Sequence, residues 1–445
     1  MDGLQASVEK MRSEGLPEPA IDTFRHYYEQ LASGETGMLP ESSIQPVEEL
    51  DDLDSLPSVE GPLDAAVVIK LNGGLGTSMG MTRAKSLIEA KDGLSFLDVI
   101  ARQVGELGLP LVLMNSFYTH EDSLAALSAH GDLSSGLPPD FVQHKEPKLL
   151  VDGLTPVSWP DDPALEWCPP GHGDLYTALL TSGMLEALLS SGRRYAFVSN
   201  SDNLGAVLEP RVLAWIAREE IPFVMEVTDR MEADRKGGHL ACRVDGGYVL
   251  RETAQTPEED LAALQDISRH RYVNTNTLWI DLRALDSLLR ARGGVLGLPL
   301  IVNRKTVDPA DSSTPEVFQL ETAMGAAVGV FDGARPLRVP RSRFSPVKTT
   351  EDLLALRSDA YVLADGARVE LAAGRRGVPP VVDLDSSYYK LLRDFDSRFP
   401  AGAPSLVECE RLAVEGDVTF GRGVVVRGAV VVRGPRRVED GAVLE

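Results

Sequence analysis

The chain is short of cysteine, of long apolar runs and of lysine. Its 445 residues include three widely separated cysteines and seven histidines, none at metal-ligand spacing, so buried or incidental thiols are the simplest interpretation. No apolar run approaches the roughly 20 residues that span a bilayer. The first residues also lack the basic start and apolar stretch of a signal peptide. We therefore expect a cytoplasmic protein with no membrane partner.

The chain also has few basic residues relative to acidic ones. There are 67 acidic and 44 basic residues, and the resulting net charge of −23 argues against nucleic acid as a partner. A polyphosphate substrate would need a site that is locally positive or holds a divalent metal. Only ten of the basic residues are lysines, so a lysine can mark a place that needs a compact point charge. The lysines in or beside turn-rich segments are Lys85, Lys145, Lys236, Lys305 and Lys348.

The most informative segment is the glycine-rich run after the apolar stretch 65–69. Val and Ile dominate that stretch, which predicts a buried strand. Gly73, Gly74, Gly76 and Gly80 then let the backbone turn sharply and approach a ligand closely. Consecutive N–H groups in such a loop form an anion site, so the run indicates an enzyme that binds a nucleotide.

Two common phosphate loops fit this run poorly. No glycine precedes Lys85 at the spacing of a P-loop. The dinucleotide fingerprint would need a glycine where Met79 stands, and the segment 85–90 resembles a short strand more than the start of a helix. The broken fingerprint argues against a nicotinamide-dependent oxidoreductase, which is the alternative from a different class.

Strand and helix patterns alternate from residue 65 to about 330. Apolar runs predict strands at 109–114, 195–199 and 221–227, while Ser95 and Asp98 predict a capping box at the start of one helix. An apolar stripe predicts a further helix over residues 320–331. Such alternation is typical of an α/β fold with a parallel-rich sheet covered by helices on both faces.

A six-residue period marks the C-terminus. Leu412, Val418 and Val424 recur at this spacing, and Gly428 and Gly434 share it. The period is the signature of a parallel β-helix, here of about two coils. We expect this segment to support packing or homo-oligomer contacts rather than chemistry. The expected domains are an N-terminal helical extension with an acidic connector at 1–60, a catalytic domain at 61–350, a connecting segment at 351–404 and the β-helix at 405–445.

Polar side chains follow the predicted strands, where ligands of open α/β sheets bind. Asp202 is suited to Mg²⁺, which proteins hold with one or two carboxylates and the substrate's phosphates, although an isolated aspartate here would more simply cap a helix. His172 lies between two glycines and either faces a ligand or stabilises a turn. Asn274 and Asn276 carry amides that suit sugar hydroxyls.

Together these blocks resemble those of the eukaryotic-type UDP-glucose pyrophosphorylases, the UTP–glucose-1-phosphate uridylyltransferase family. The resemblance implies a nucleotidyltransferase-type, Rossmann-like mixed sheet with helices on both faces and a left-handed parallel β-helix as the tail. It also implies Mg²⁺ as cofactor, and UTP and glucose 1-phosphate as substrates that give UDP-glucose and pyrophosphate reversibly. The similarity runs in order from about residue 20 to the C-terminus, through 71–80, 85–86, 115–116, 169–174, 198–205, 223–228, 274–279, 319–323 and 340–353.

The resemblance further implies roles for single residues. Lys348 takes the family's catalytic lysine position, Lys85 joins it in neutralising phosphates, and Asp202 would ligate Mg²⁺. Lys236 and Lys305 match family lysines without an assigned role. The sugar would contact His172, Asn200, Glu226 and Asn276. The nucleotide would contact Leu71, Asn72, Gly73, Gly74, Lys85, Gln143 at the uracil edge, Gly171, Asn200, Asp202 and Lys348.

Two alternatives remain open beside glucose. Ser78 stands where relatives that handle other sugars tend to carry arginine, which favours glucose over another sugar 1-phosphate. A catalytically silent nucleotide-sugar sensor is the other alternative. The presence of Lys85, Asp202 and Lys348 together argues against it.

Overall fold

The computed structural model of the chain describes residues 2–445, apart from the side chain of Ser78. Among these residues no helix has both the length and the apolar character needed to cross a bilayer. The α-helices are α1 (Gly3–Ser13), α2 (Glu18–Ala32), α3 (Phe96–Glu106), α4 (His120–Leu127), α5 (Leu175–Thr181), α6 (Met184–Ser190), α7 (Pro210–Glu219), α8 (Leu261–Leu264), α9 (Leu282–Ala291), α10 (Thr350–Arg357), α11 (Ser386–Tyr389) and α12 (Leu392–Arg398).

The strands follow in chain order, several of them only two or three residues long. They are β1 (Ile44–Gln45), β2 (Asp51–Asp52), β3 (Ala66–Leu71), β4 (Glu89–Lys91), β5 (Leu94–Ser95), β6 (Leu111–Asn115), β7 (Asp140–Val142), β8 (Glu146–Pro147), β9 (Leu149–Leu150), β10 (Trp167–Cys168), β11 (Tyr195–Asn200), β12 (Phe223–Asp229), β13 (His239–Arg243), β14 (Tyr248–Arg251), β15 (Tyr272–Asp281), β16 (Leu300–Thr306), β17 (Glu316–Thr322), β18 (Arg335–Arg338), β19 (Tyr361–Leu363), β20 (Val369–Leu371), β21 (Val381–Leu384), β22 (Cys409–Glu415), β23 (Val418–Phe420), β24 (Val425–Val426), β25 (Gly428–Arg433), β26 (Arg436–Val438) and β27 (Val443–Leu444).

The chain divides into two compact units. The first unit comprises Met1–Ile69, Phe141–Val198 and Glu209–Pro340. The second comprises Lys70–Asp140, Ser199–Leu208 and Arg341–Glu445. The chain passes from the first unit to the second at the end of β3, directly before the glycine loop. The glycine loop, residues 199–208 and the segment around 348 therefore belong to one unit.

The first unit is built on a mixed sheet in which β2, β18, β12, β15, β11 and β3 are neighbours in that order. The α/β class predicted from the sequence is confirmed, but the expectation of a parallel-rich sheet is wrong for its centre. β15 runs antiparallel to both β11 and β12, whereas β12, β18 and β2 are parallel. The reason lies in the connection, because the chain between β12 and β15 forms the β13–β14 hairpin and the one-turn helix α8 rather than a long crossover helix.

Helices α1 and α2 are part of the first unit's core. Met11, Ile21 and Phe24 are almost completely buried and pack against Leu149 and Leu320, which lie on β9 and β17. Burying such side chains stabilises by about 1.5–3 kcal/mol each. The N-terminal segment predicted as an extension is thus a packed layer that supports the strands carrying part of the candidate site.

Two local predictions are wrong. The segment 85–90 begins as a 3₁₀ turn at Lys85–Leu87 and only then enters β4. The helix predicted over 320–331 is divided between β17 and a 3₁₀ helix at Met324–Gly329. In both segments the backbone conformation is set by hydrogen bonds to residues outside the segment rather than by the local sequence pattern. The N–H of Lys85 donates to the carbonyl of Gly74, and the N–H of Thr322 donates to the carbonyl of Pro170. The capping box of Ser95 and Asp98, a contact within one turn, is present at the start of α3.

Within the second unit the C-terminal strands stack in parallel pairs. β22 pairs with β25, β23 with β26 and β24 with β27. Val418 faces Arg436 and Val425 faces Val443, each 18 positions further along the chain. One coil therefore consists of three six-residue sides, which is the spacing that the sequence period predicts. Leu412, Val418 and Val424 point inward and are fully buried.

Candidate active site

The glycine loop turns back onto its own lysine. The backbone N–H of Lys85 donates to the carbonyl of Gly74 at 3.0 Å. Gly76 and Gly80 have φ values of +66° and +73°, in the left-handed region that favours glycine. A Cβ on Gly76 would lie 3.5 Å from Cγ of Lys85, so the loop wraps closely around the base of that side chain.

Asn72 anchors the start of the loop. Its buried Nδ2 donates to Oδ1 of Asn115 at 2.7 Å and to Oγ of Ser123 at 2.8 Å. Ser116 donates from Oγ to the carbonyl of Gly73. Both hydrogens of the Asn72 amide are therefore engaged with protein atoms. The half-buried Gly73 and the exposed Gly74 present the part of this backbone that a ligand can reach.

Lys85 and Asp202 are in direct contact. Nζ of Lys85 donates to Oδ2 of Asp202 at 2.8 Å, and both side chains are largely buried. The carbonyl of Asp202 accepts a hydrogen bond from the N–H of Val347, which places the neighbouring residue Lys348 in the same part of the unit. Lys348 is exposed, and among residues 2–445 its ammonium has no hydrogen-bond or ion-pair partner.

Asp202 also has an oxygen that suits a metal ion. Oδ1 is buried and has no hydrogen-bond partner within the described chain, a rare condition for a carboxylate oxygen. Its side chain does not cap a helix, so the simpler role of an isolated aspartate does not apply. In the same described residues no three His, Cys, Asp or Glu side chains gather as a metal cluster. The residues thus fit a hard cation held by one carboxylate and by the phosphates of a substrate.

Two further residues, to which the sequence analysis assigns no role, fix these groups. Lys70 is buried in β3 and donates to Oγ of Ser199 at 2.7 Å and to the carbonyl of Ala206 at 2.9 Å. Asn203 donates to the carbonyl of Arg343 and accepts from the N–H of Ser345. A lysine inside an apolar strand is a visible signal for the first residue. The second has none, because its partners lie about 140 positions away.

The first unit holds a second loop, 169–174, in a fixed conformation. Gly171 has a φ of +78°, and a Cβ there would lie 2.5 Å from the carbonyl oxygen of Thr322. Nδ1 of His172 accepts the N–H of Met324 at 2.9 Å. Burial lowers the pKa of His172 to about 4, so the ring is neutral at pH 7 and its proton is on Nε2. The loop therefore offers an N–H donor.

Glu226 and Asn276 lie on paired strands next to a β-bulge. Glu226 is fully buried on β12, and its Oε1 accepts the indole N–H of Trp279 at 2.9 Å. The pairing with β15 shifts register directly after Glu226. Asn276 has a φ of +53° and exchanges two hydrogen bonds with Asn274. Bulges of this kind redirect side chains near functional sites.

The remaining predicted residues are less constrained. Gln143 and Asn200 are half-buried at strand ends, and Leu71 ends β3. Lys236 and Lys305 are exposed residues of the first unit. The prediction that Ser78 favours glucose falls on a side chain outside the described part of the chain.

Glu146 is an unusual carboxyl beside the 169–174 loop. It lines a cavity of about 20 Å³ with Tyr27, Asp174 and Glu321, and its Oε1 is buried without a hydrogen-bond partner among the described residues. Burial, followed by the nearby carboxylates of Asp174 and Glu321, raises the pKa of Glu146 well above its usual range.

We expect Glu146→Gln to flatten the pH dependence of stability. A carboxyl with a raised pKa keeps its proton in the folded state while the unfolded chain releases it above about pH 4.3. The unfolding free energy therefore falls as pH rises from there to the folded pKa, by up to about 1.4 kcal/mol per pH unit. Urea unfolding between pH 5 and 8 measures this slope, with exposed Glu35→Gln as the control. If the unfolding free energy of wild type and of Glu146→Gln depended on pH in the same way, the raised pKa of Glu146 would be contradicted.

The mixed sheet, the glycine loop and the Lys85–Asp202 pair define a nucleotidyltransferase. The family model of UTP–glucose-1-phosphate uridylyltransferase matches residues 21–427, and the chain belongs to that family. The barley (Hordeum vulgare) enzyme of this name is 38% identical, covering 100% of this chain and 96% of its own. The Saccharomyces cerevisiae enzyme is 41% identical over 83% of this chain and 74% of its own.

Solved structures agree with the family assignment. A variant of UDP-glucose pyrophosphorylase from Leishmania major, in complex with UDP-glucose, matches with a TM-score of 0.94 and 46% identity. The match covers 100% of this chain and 98% of the Leishmania chain. The family and the enzyme class predicted from the sequence are therefore confirmed.

Proposed function

We propose that this chain transfers a uridylyl group from UTP to glucose 1-phosphate, giving UDP-glucose and pyrophosphate in a reversible, Mg²⁺-dependent reaction. The observation that carries the proposal is the contact between Lys85 and Asp202 beside the glycine loop, with one carboxylate oxygen left without a protein partner. The membership of the family and its structural similarity to an enzyme crystallised with UDP-glucose support the choice of substrates.

The reaction needs positioning and charge neutralisation more than proton transfer. An oxygen of the sugar phosphate attacks the α-phosphorus of UTP in line. The new P–O bond forms as the bond from the α-phosphorus to the α,β-bridging oxygen breaks, and that oxygen leaves with pyrophosphate. The attacking phosphate is largely ionised at neutral pH, so no general base is required. Such transfers are accelerated by alignment and by cations placed on the phosphates.

The phosphate-binding roles fall to the second unit. The backbone from Leu71 to Gly74 lies along the triphosphate, and the ammonium groups of Lys85 and Lys348 neutralise its charge. Asn200 contacts the nucleotide and the sugar phosphate. Oδ1 of Asp202 would hold Mg²⁺ together with substrate phosphates, and the ion would supply further charge neutralisation there.

The base and sugar roles fall to the first unit. Gln143 reads the uracil edge and Gly171 contacts the nucleotide through its backbone. His172 donates its Nε2–H to an oxygen of the sugar or its phosphate, which its fixed tautomer supports. Glu226 and Asn276 contact the glucose hydroxyls.

We propose that the C-terminal coil is a left-handed β-helix and that it contributes to a homo-oligomer. Val431 and Val443 support this role, because they are large apolar side chains about half exposed on the coil. The functional division we propose keeps 1–60, 61–350, 351–404 and 405–445 as extension, catalytic domain, connection and coil. A cytoplasmic location is in keeping with three free thiols, at Cys168, Cys242 and Cys409.

Pyrophosphate release tests the proposed reaction. The purified chain is incubated with Mg²⁺, UTP and a panel containing glucose 1-phosphate, galactose 1-phosphate and N-acetylglucosamine 1-phosphate. We expect the highest kcat/KM with glucose 1-phosphate, and no release when the sugar phosphate is omitted. A higher kcat/KM with another sugar phosphate would replace glucose as the substrate. No release with any sugar phosphate would contradict the reaction itself.

A further inference from the structure

The carboxylate of Asp174 makes hydrogen bonds that are unusual for a residue at the start of a helix. The residue directly precedes helix α5, where an aspartate usually caps the helix with its side chain, yet it makes no such hydrogen bond. Both carboxylate oxygens accept from one residue instead. Oδ2 accepts the backbone N–H of His144 at 2.6 Å, and Oδ1 accepts the ring Nδ1–H of His144 at 2.8 Å.

The second ring nitrogen of His144 also has a hydrogen-bond partner. Its Nε2 lies 3.0 Å from Oγ1 of Thr181, in the last turn of α5. The side chains of His144 and Asp174 are 10% and 4% exposed, so water competes little for these hydrogen bonds. Charge-assisted hydrogen bonds to a carboxylate are about twice as strong as neutral ones. The three residues therefore form a rigid clamp: Asp174, His144 and Thr181.

The clamp acts on the peptide unit that joins Gln143 to His144. The N–H that Asp174 accepts belongs to that unit, so the hydrogen bond fixes the backbone rotation immediately after the Cα of Gln143. Gln143 itself is half-buried, and its side-chain amide has no hydrogen-bond partner among residues 2–445. A side chain that reads a base edge must hold its amide within hydrogen-bond geometry, and a rotation of its backbone would displace it.

We propose that Asp174 is a positioning residue for base recognition, which selects uracil through His144 and Gln143. The proposal rests on the proposed role of Gln143 at the uracil edge. It assigns a specificity function to an aspartate that acts through His144 and Gln143 rather than on the base itself.

His172, the residue of the 169–174 loop that we assign to the sugar, is held by a separate set of contacts. His172 is held by the N–H of Met324, and a Cβ on Gly173 would lie 2.2 Å from Oγ1 of Thr322, which shows how closely the loop packs on β17. These contacts do not involve the carboxylate of Asp174. Loss of the clamp should therefore change the choice of base without changing the affinity for glucose 1-phosphate.

The test compares kcat/KM for UTP and for CTP in full-length variants. Asp174→Asn keeps the shape of the side chain but places an amide N–H donor opposite one of the N–H donors of His144. His144→Ala removes the imidazole ring. We expect both to lower the UTP-over-CTP ratio at least about tenfold, with KM for glucose 1-phosphate within about twofold of wild type. His144→Asn should retain most of the selectivity, because its Nδ2–H can replace the Nδ1–H donor. His130→Ala, in the separate pair of His130 with Asp98, is the matched control and should leave the ratio unchanged.

Comparison with Gln143→Ala distinguishes a failure of the Asp174 clamp from a failure of the role proposed for Gln143. Gln143→Ala should lower the same ratio. If it does so while Asp174→Asn and His144→Ala do not, the clamp is refuted and the role of Gln143 stands. An unchanged ratio in Gln143→Ala refutes the uracil role of Gln143 and the clamp with it. Equal losses for UTP and CTP in Asp174→Asn would reduce Asp174 to a structural role. If Asp174→Asn does not fold, His144→Ala against His144→Asn decides.

Discussion

Replacing Lys348 by alanine should lower kcat on the order of 10²–10³-fold, by analogy with the loss of one preorganised oxyanion donor. The residue is exposed and its ammonium has no protein partner in the described chain, so its charge is available to a phosphate. Its position follows Val347, whose N–H is bonded to the carbonyl of Asp202. The unfolding free energy should stay within about 0.5 kcal/mol of wild type, as for other surface substitutions.

Lys390→Ala is the matched control for this prediction. Lys390 belongs to the same unit, is also exposed and also lacks a partner among residues 2–445, but no site role is assigned to it. Pyrophosphate release and urea unfolding are measured on both variants. A normal kcat in Lys348→Ala, or an equal loss in Lys390→Ala, would remove Lys348 from the catalytic group. Arginine should restore little, since its planar guanidinium does not replace a point charge.

Asp202→Asn should lower kcat/KM on the order of 10³-fold. The change removes the charge from an oxygen that we assign to the metal, and it leaves the ammonium of Lys85 beside a neutral amide. Calorimetry provides a readout independent of turnover. Mg²⁺ should increase the affinity of the wild type for UTP, and this increase should disappear in Asp202→Asn.

The partner substitution Lys85→Met extends the test of Asp202. Because Lys85 and Asp202 are in contact, the loss in the double variant should be smaller than the product of the two single losses. Asp132→Asn, an exposed aspartate in the same unit, should leave both turnover and the Mg²⁺ effect unchanged. A full Mg²⁺ effect in Asp202→Asn would contradict the assignment of the metal to this residue.

The features predicted correctly from the sequence are those with local causes. The strand before the glycine loop and the capping box of Ser95 and Asp98 each depend on residues within one or a few turns. The six-residue period recurs in the parallel pairing of the C-terminal strands. The resemblance then supplied the family, because its motifs recur in order along almost the whole chain. The resemblance assigns Lys85 and Asp202 to one site, and the two side chains are in contact, while their roles stay predictions.

The features that sequence reasoning missed depend on distant contacts. Asn203 shows no local pattern, since its partners come from the segment 343–345. The apolar stripe after Leu320 predicts a helix, but pairing of β17 with β16 and the bond from Thr322 to Pro170 determine the backbone there. The antiparallel direction of β15 follows from a hairpin connection rather than from its own apolar pattern.

Anomalous diffraction from crystals of the full chain grown with UTP and Mn²⁺ would locate the metal and the triphosphate in one experiment. We expect a manganese peak next to Oδ1 of Asp202, in contact with UTP phosphates, with the ammonium groups of Lys85 and Lys348 turned toward the same triphosphate. A triphosphate bound away from the glycine loop, or a manganese peak that does not touch Asp202, would contradict this expectation.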